Sequence, residues 1–230
     1  MSSTEILTTS EINEVLDLQN PIDSPIVLPA CVVSRLHQLN HQSVTGCKKR
    51  KREFEAGRFC ASQCLESLGV FEVVEKAEDR SPVWPNGTIG SISHSDCWVW
   101  SVAAEKNELG SIGIDTEAVA DAITLKHLQP EIMLEGEMEL GQQIGLTEPE
   151  VFTVTFSAKE SFYKCIYPLK PLYFGFQDVR VVRFGRSELE LSITQGCPNR
   201  YLANRSLIVS YVIEDNDVFT ACWLNDLKVV

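Results

Sequence analysis

The chain has 230 residues, of which 44% are hydrophobic and 23% charged, the balance of an ordinary globular protein and not of a disordered one. Its 20 Lys and Arg stand against 32 Asp and Glu, and a net charge of −12 excludes the broad basic face that a nucleic-acid duplex requires. Eight scattered cysteines without a C-x-x-C pair, an acidic and Ser/Thr-rich start, and no apolar run of about 18 residues argue against a disulfide scaffold, a zinc module and a membrane span, so a cytoplasmic protein is expected.

Residues 1–24 are polar and acidic and end near Pro21 and Pro25, which predicts a weakly ordered leader before a short strand at 26–28. His37 and His41 stand one turn apart without the glutamate of a metalloprotease helix, and no role is assigned to them. Over 47–68 the pattern is helical, with Phe54, Ala61, Cys64, Leu65 and Leu68 on one stripe and Gly69 as the stop. Cys60 and Cys64, one turn apart, read as small buried apolar residues. The helix opens on Lys48-Lys49-Arg50-Lys51-Arg52, with Arg58 further along. Three readings fit such a run: a solvated face, a nucleic-acid or localisation patch, or cations held toward a phosphorylated small molecule that the Arg fork grips in bidentate fashion. A short strand is expected at 70–74, and 80–90, with Asn86-Gly87, reads as a loop with a tight turn. The loop runs into Ser91, Ser93, His94 and Ser95 beside Gly87 and Gly90, a set able to offer N–H, hydroxyl and imidazole groups to phosphate oxygens; a structural histidine after a strand fits equally. There is no G-x-x-x-x-G-K-[ST], so a P-loop is excluded.

Residues 98–103 read as extended, and 110–117 as a strand whose Ser111, Gly113, Asp115 and Glu117 share one face. Two carboxylates side by side repel unless neutralised. A solvated strand end relieves them, and so does a hard divalent cation such as magnesium. Two helical patterns follow between 121 and 150, divided near Gly136 and punctuated by Pro149, and a third helix is expected to start after Phe156. In that helix Ala158, Phe162, Cys165 and Ile166 form the buried stripe, while Glu160, Tyr163, Lys164 and Tyr167 share another face. Ser157 and Glu160 match a capping box, and Glu160 with Lys164 an i,i+4 ion pair. A chemical reading makes Glu160 a third metal ligand or proton acceptor and Lys164 a charge beside a transferring phosphoryl group. Strands at 179–184, 188–193, 207–213 and 218–223 close the chain. Helix followed by antiparallel strands thus occurs once on each side of Gly110, which predicts an α+β fold.

The ordered pieces Arg52-Glu53-Phe54, Gly57-Arg58 with Ala61, Arg80 with Pro82 and Trp84-Pro85, Gly87, Gly90 to Ser95, Gly113-Ile114-Asp115 with Glu117, and Phe156 to Glu160 with Lys164 together resemble the 4′-phosphopantetheinyl transferase superfamily. Within it, the enterobactin synthetase component D group is the nearest pattern. The resemblance implies an α/β pseudo-dimer, with two similar halves at 1–110 and 111–230 related by a pseudo-twofold axis and coenzyme A between them. It implies Asp115, Glu117 and Glu160 as magnesium ligands, and Arg52, Arg58, Arg80, Ser93 and His94 as holders of the nucleotide phosphates, His94 at the 3′-phosphate. Glu160 and Lys164 would carry the chemistry, with Lys164 near the transferring phosphate. The implied activity moves the phosphopantetheine arm of coenzyme A to a serine of an acyl or peptidyl carrier protein, releasing adenosine 3′,5′-bisphosphate, in a monomeric enzyme of secondary-metabolite or siderophore biosynthesis. Glu135 and Lys170-Pro171 depart from the family pattern and bear on the carrier-facing surface. Two rivals keep the same residues: a magnesium-dependent hydrolase of coenzyme A, and a non-catalytic binder of coenzyme A or carriers.

Overall fold

The structure, a computed structural model, describes residues 25–37, 47–171, 173–194 and 206–225; the expected leader and His41 lie outside them. In chain order the elements are β1 (Val32–His37), α1 (Cys47–Ser67), β2 (Glu75–Lys76), β3 (Pro82–Val83), β4 (Thr88–His94), β5 (Trp98–Glu105) and β6 (Ser111–Ala118). There follow α2 (Ala122–Ile132), α3 (Glu137–Gln142), α4 (Glu148–Ile166), a single 3₁₀ turn (Phe176–Asp178), β7 (Val179–Phe184), β8 (Glu188–Ile193), β9 (Ser206–Glu214) and β10 (Asp217–Leu224). One antiparallel sheet has the order β1-β5-β4, a second the order β6-β10-β9-β8-β7, and β2 with β3 forms a small ribbon. Helix α1 packs on the first sheet and α4 on β6, β10 and β9 of the second. The fold is α+β, as the sequence pattern predicts.

The run 98–104 explains how the two sheets meet. A strand turns alternate residues to opposite faces, and here both faces are apolar. Val99 packs with Ala56 and Cys60 of α1, and Ala103 with Ala61, Cys64 and Leu65. Trp98, Trp100 and Val102 face the other way, onto Ile112 and Ile114 of β6 and Phe219 and Ala221 of β10. The two sheets therefore share one apolar layer. Burying each large side chain there contributes about 1.5–3 kcal/mol. Arg35 of β1 is sealed into the same layer, 2% exposed, with its guanidinium 4.5 Å from the Trp98 ring and 4.8 Å from the Phe219 ring, and it donates to Glu214 Oε2 at 2.7 Å.

Strand β4 packs against β6 through side chains: the N–H groups of Ile114 and Thr116 donate to the hydroxyls of Ser91 (3.1 Å) and Ser93 (3.3 Å). On the face of β6 that carries Asp115, α4 crosses at Gly113, where an added Cβ would lie 2.0 Å from the Ser161 carbonyl oxygen and 2.4 Å from the Cys165 nitrogen.

Three local expectations are corrected. Residues 26–28 form no strand; the chain turns just after them, at 29–30, with Ala30 at φ 49°, and pairing starts at Val32. Residues 70–74 are unpaired, with Phe71 84% and Val73 73% exposed. Helix α4 begins at Glu148, not after Phe156, because Pro149 sits in the first turn, where a missing N–H costs nothing. Its capping box is Thr147 with Glu150, so Ser157 is an interior residue bonded to Thr220 at 2.9 Å. The break at Gly136 holds, with φ 89°. Cys60 and Cys64 are fully buried, and burial pushes both thiols up to about 12.

Because backbone of α4 stands where a side chain on residue 113 would go, Gly113→Ala is expected to lower the unfolding free energy by about 3 kcal/mol. Urea denaturation of the variant checks this; an unchanged midpoint would show that α4 yields.

Candidate active site at the seam of the two sheets

Asp115 lies midway along β6, 3% exposed, on the face that meets β4 and α4. Its Oδ1 accepts from Lys164 Nζ at 2.6 Å and from Ser93 Oγ at 2.8 Å, and Lys164 Nζ also donates to Ser93 Oγ at 3.1 Å. Three elements, β6, α4 and β4, thus close a triangle around one carboxylate oxygen. The other, Oδ2, is buried without a hydrogen-bond partner. The expected Glu160–Lys164 ion pair is not the one formed: the ammonium of Lys164 turns to Asp115. Local spacing permits the i,i+4 pair, but a buried carboxylate holds the ammonium more strongly than a neighbour on the same helix.

The electrostatics report a cluster with too little positive charge. Burial, then the charge of Asp115, pushes Glu117 up to about 8, with Glu160 adding to the rise and Lys164 opposing it. Glu160 is raised by burial and by Asp115, again against Lys164. Burial pulls Lys164 down, yet the charges of Asp115, Glu160 and Glu117 outweigh it and leave its pKa raised. His94, at the end of β4, is lowered by burial, with Glu53 opposing and Lys164 reinforcing; its Nδ1 stands 4.0 Å from Glu53 Oε2. Asp115, Glu117, Glu160, Lys164, Ser93 and His94 are therefore one interacting group. Among the described residues, no three acidic, histidine or cysteine side chains sit in an arrangement that by itself holds a metal ion. The donor chemistry nevertheless fits a hard cation: carboxylate oxygens, one of them buried and unpartnered, and two carboxylates raised by unrelieved burial and repulsion.

The basic residues divide. Lys49 and Lys51 are engaged with Asp96 and with Glu55. Arg58 is half-buried, its Nη1 has no hydrogen-bond partner, and its guanidinium lies 5.0 Å from the Phe54 ring. Phe54 is 43% exposed: it is a platform for Arg58 and Lys76, not part of the core stripe expected of it. Arg52 is partly exposed on the same helix. Arg80 and Lys164 line a cavity of about 650 Å³, within the size range of small-molecule sites, together with Trp84, Ser91, Lys106 and Tyr167. A smaller cavity of about 160 Å³ lies beside Glu160, lined by Tyr163, Phe174 and the exposed Tyr173.

Sequence reasoning missed Lys106, a third cation on the large cavity, and the buried pair Lys159–Glu137. Lys159 Nζ donates to Glu137 Oε2 at 2.9 Å and to the Ile132 carbonyl at 2.8 Å, while Glu137 accepts the N–H groups of Leu134 and Val181. This clamp ties the α2–α3 link and β7 to α4 one residue before Glu160. A lysine set between Thr155 and Phe162 on the buried stripe was the available signal; its partner, 22 residues away, was not readable.

Residues 37–104 match the family model described as the 4′-phosphopantetheinyl transferase N-terminal domain, and 111–214 that of the 4′-phosphopantetheinyl transferase superfamily. The chain is 32% identical to enterobactin synthase component D of Salmonella typhimurium over 173 residues, 75% of this chain and 71% of that one. It is 30% identical to the protein of the same name from Escherichia coli O157:H7, over 80% of this chain and 81% of that one. A 4′-phosphopantetheinyl transferase of Nocardia iowensis is 31% identical over 61% of this chain and 63% of its own.

Lys159→Met leaves Glu137 charged and buried, and is expected to lower stability by about 3–5 kcal/mol. Adding Glu137→Gln removes that charge and keeps an acceptor, so part of the loss returns. Denaturant titration of both variants checks the pair; equal losses would mean that the ion pair is not what holds the clamp.

Proposed function

The chain belongs to the 4′-phosphopantetheinyl transferase superfamily, and from that premise we propose that the group around Asp115 is its catalytic centre, served by magnesium, in a monomeric enzyme of the cytoplasm. Its reaction moves the 4′-phosphopantetheine arm of coenzyme A to a serine of an apo carrier protein and releases adenosine 3′,5′-bisphosphate. The names of its enterobactin synthase relatives make siderophore assembly the pathway we assign. We further propose that the halves 1–110 and 111–230, each a helix on an antiparallel sheet, are related by a pseudo-twofold axis.

The observation that carries the site assignment is the meeting of Asp115, Glu117, Glu160 and Lys164 at the place where β4 brings in Ser93 and His94. Asp115, Glu117 and Glu160 are the residues that would hold magnesium. When bound, the ion supplies neutralising charge to the diphosphate and makes the attacked phosphorus more electrophilic. Lys164, already fixed by Asp115, places a positive charge beside the transferring phosphoryl group. Arg52, Arg58, Arg80, Ser93 and His94 hold the phosphates of the nucleotide; the unpartnered Nη1 of Arg58 supports this for that residue. Glu160 accepts the serine proton as the serine Oγ–P bond forms and the P–O bond to the departing nucleotide breaks. The large cavity, beside Lys164 and walled by Trp84 and Ile89, is where we place the pantetheine arm.

Asp115→Ala and Glu160→Gln are each expected to reduce transfer by at least about 100-fold, Glu160→Gln with little change in the melting temperature. The measurement is intact mass of an apo carrier protein after incubation with coenzyme A and magnesium. Removing the metal with a chelator is expected to abolish the mass gain and re-adding magnesium to restore it. Cleavage of coenzyme A in the absence of any carrier would instead identify a hydrolase.

A further inference from the structure

The turn at 77–81 holds Arg80 in an unusual backbone state. Its φ is +73°, in the left-handed region that non-glycine residues rarely adopt. What maintains it is local: the N–H of Ala77 donates to the Ser81 carbonyl, that of Arg80 to the Ala77 carbonyl, and both the N–H and hydroxyl of Ser81 donate to Asp79 Oδ1. Asp79 Oδ1 is thereby committed to the turn. Its other oxygen, Oδ2, accepts from the hydroxyl of Tyr167, the residue that caps the C-terminus of α4. Tyr167 is in turn stacked on Tyr163, with centroids 5.3 Å apart and planes at 27°.

Asp79, Arg80, Tyr163, Lys164 and Tyr167 all line the large cavity, Asp79 and Arg80 from the turn of the ribbon, Tyr163 and Lys164 from α4 and Tyr167 from its C-cap. One carboxylate therefore shapes the Arg80 turn with one oxygen and fastens it to the end of α4 with the other. We infer that Tyr167 and Asp79 are positioning residues for substrate binding: their hydrogen bond straps the Arg80 turn to the end of α4, so that Arg80 and Lys164 face the same phosphate-bearing ligand. The inference rests on the assignment of Arg80 to the phosphates of coenzyme A made above. Neither positioning residue is required to touch the reacting atoms.

Tyr167→Phe removes the strap and keeps the ring stacked on Tyr163. It is expected to raise KM for coenzyme A roughly 3- to 10-fold with kcat little changed, the range of one ordinary hydrogen bond. The dissociation constant for coenzyme A, measured by calorimetry with the intact chain, is expected to rise by the same factor. Because the strap acts through Arg80, the effect is expected to vanish in an Arg80→Ala background, whereas a general loosening of the structure would add to that of Arg80→Ala. An unchanged dissociation constant in Tyr167→Phe, or fully additive effects in the double variant, would overturn the inference. Failure of the unsubstituted chain to bind coenzyme A or to modify a carrier would count against the transferase reading itself, so the two failures are separate.

Discussion

A carboxylate buried between two sheets has to be met by positive charge, and the centre of this molecule is organised by how Asp115 meets it. The strand period turns Asp115 inward from β6, the helix period of α4 brings Lys164 to one of its oxygens, and Ser93 arrives from β4 to complete the set. Charge balance is still incomplete. Glu117 and Glu160 remain raised, and one oxygen of Asp115 remains without a partner. A site left short of positive charge in this way is prepared for a cationic guest in a manner that a neutralised salt-bridge network is not.

The precision of that arrangement depends on close packing around β6. Gly113 lets the α4 backbone lie directly on the strand, two residues from Asp115, and the serines of β4 take up N–H groups along the edge not paired with β10. The Lys159–Glu137 clamp fixes the rotation of α4 at the residue next to Glu160. Each of these contacts narrows the directions open to the side chains around Asp115.

Much of this was legible in the sequence because it follows from short periods. Alternation placed Asp115 and Glu117 on one face, and helical spacing separated the buried Ala158, Phe162 and Cys165 from Glu160 and Lys164. What failed was choice between equal local patterns. Thr147-x-x-Glu150 and Ser157-x-x-Glu160 are the same capping motif, and only the burial of Val151, Phe152 and Val154 shows that the helix already runs through the second. Lys164 had a partner at i−4 by spacing and another 49 residues away by folding, and tertiary contact decided. Phe54 looked like core by period but serves as a platform for cations. The contacts hardest to read join distant segments: Tyr167 to Asp79, Lys159 to Glu137, Arg35 to Glu214.

Two family models divide the chain between residues 104 and 111, but the apolar layer does not respect that division. Trp98 and Trp100 from one side and Phe219 from the other meet edge to face, with Arg35 enclosed among them. Cutting the polypeptide at the link would strip both fragments of a common interior and leave each with an aromatic surface facing water. The two matched regions thus share one interior.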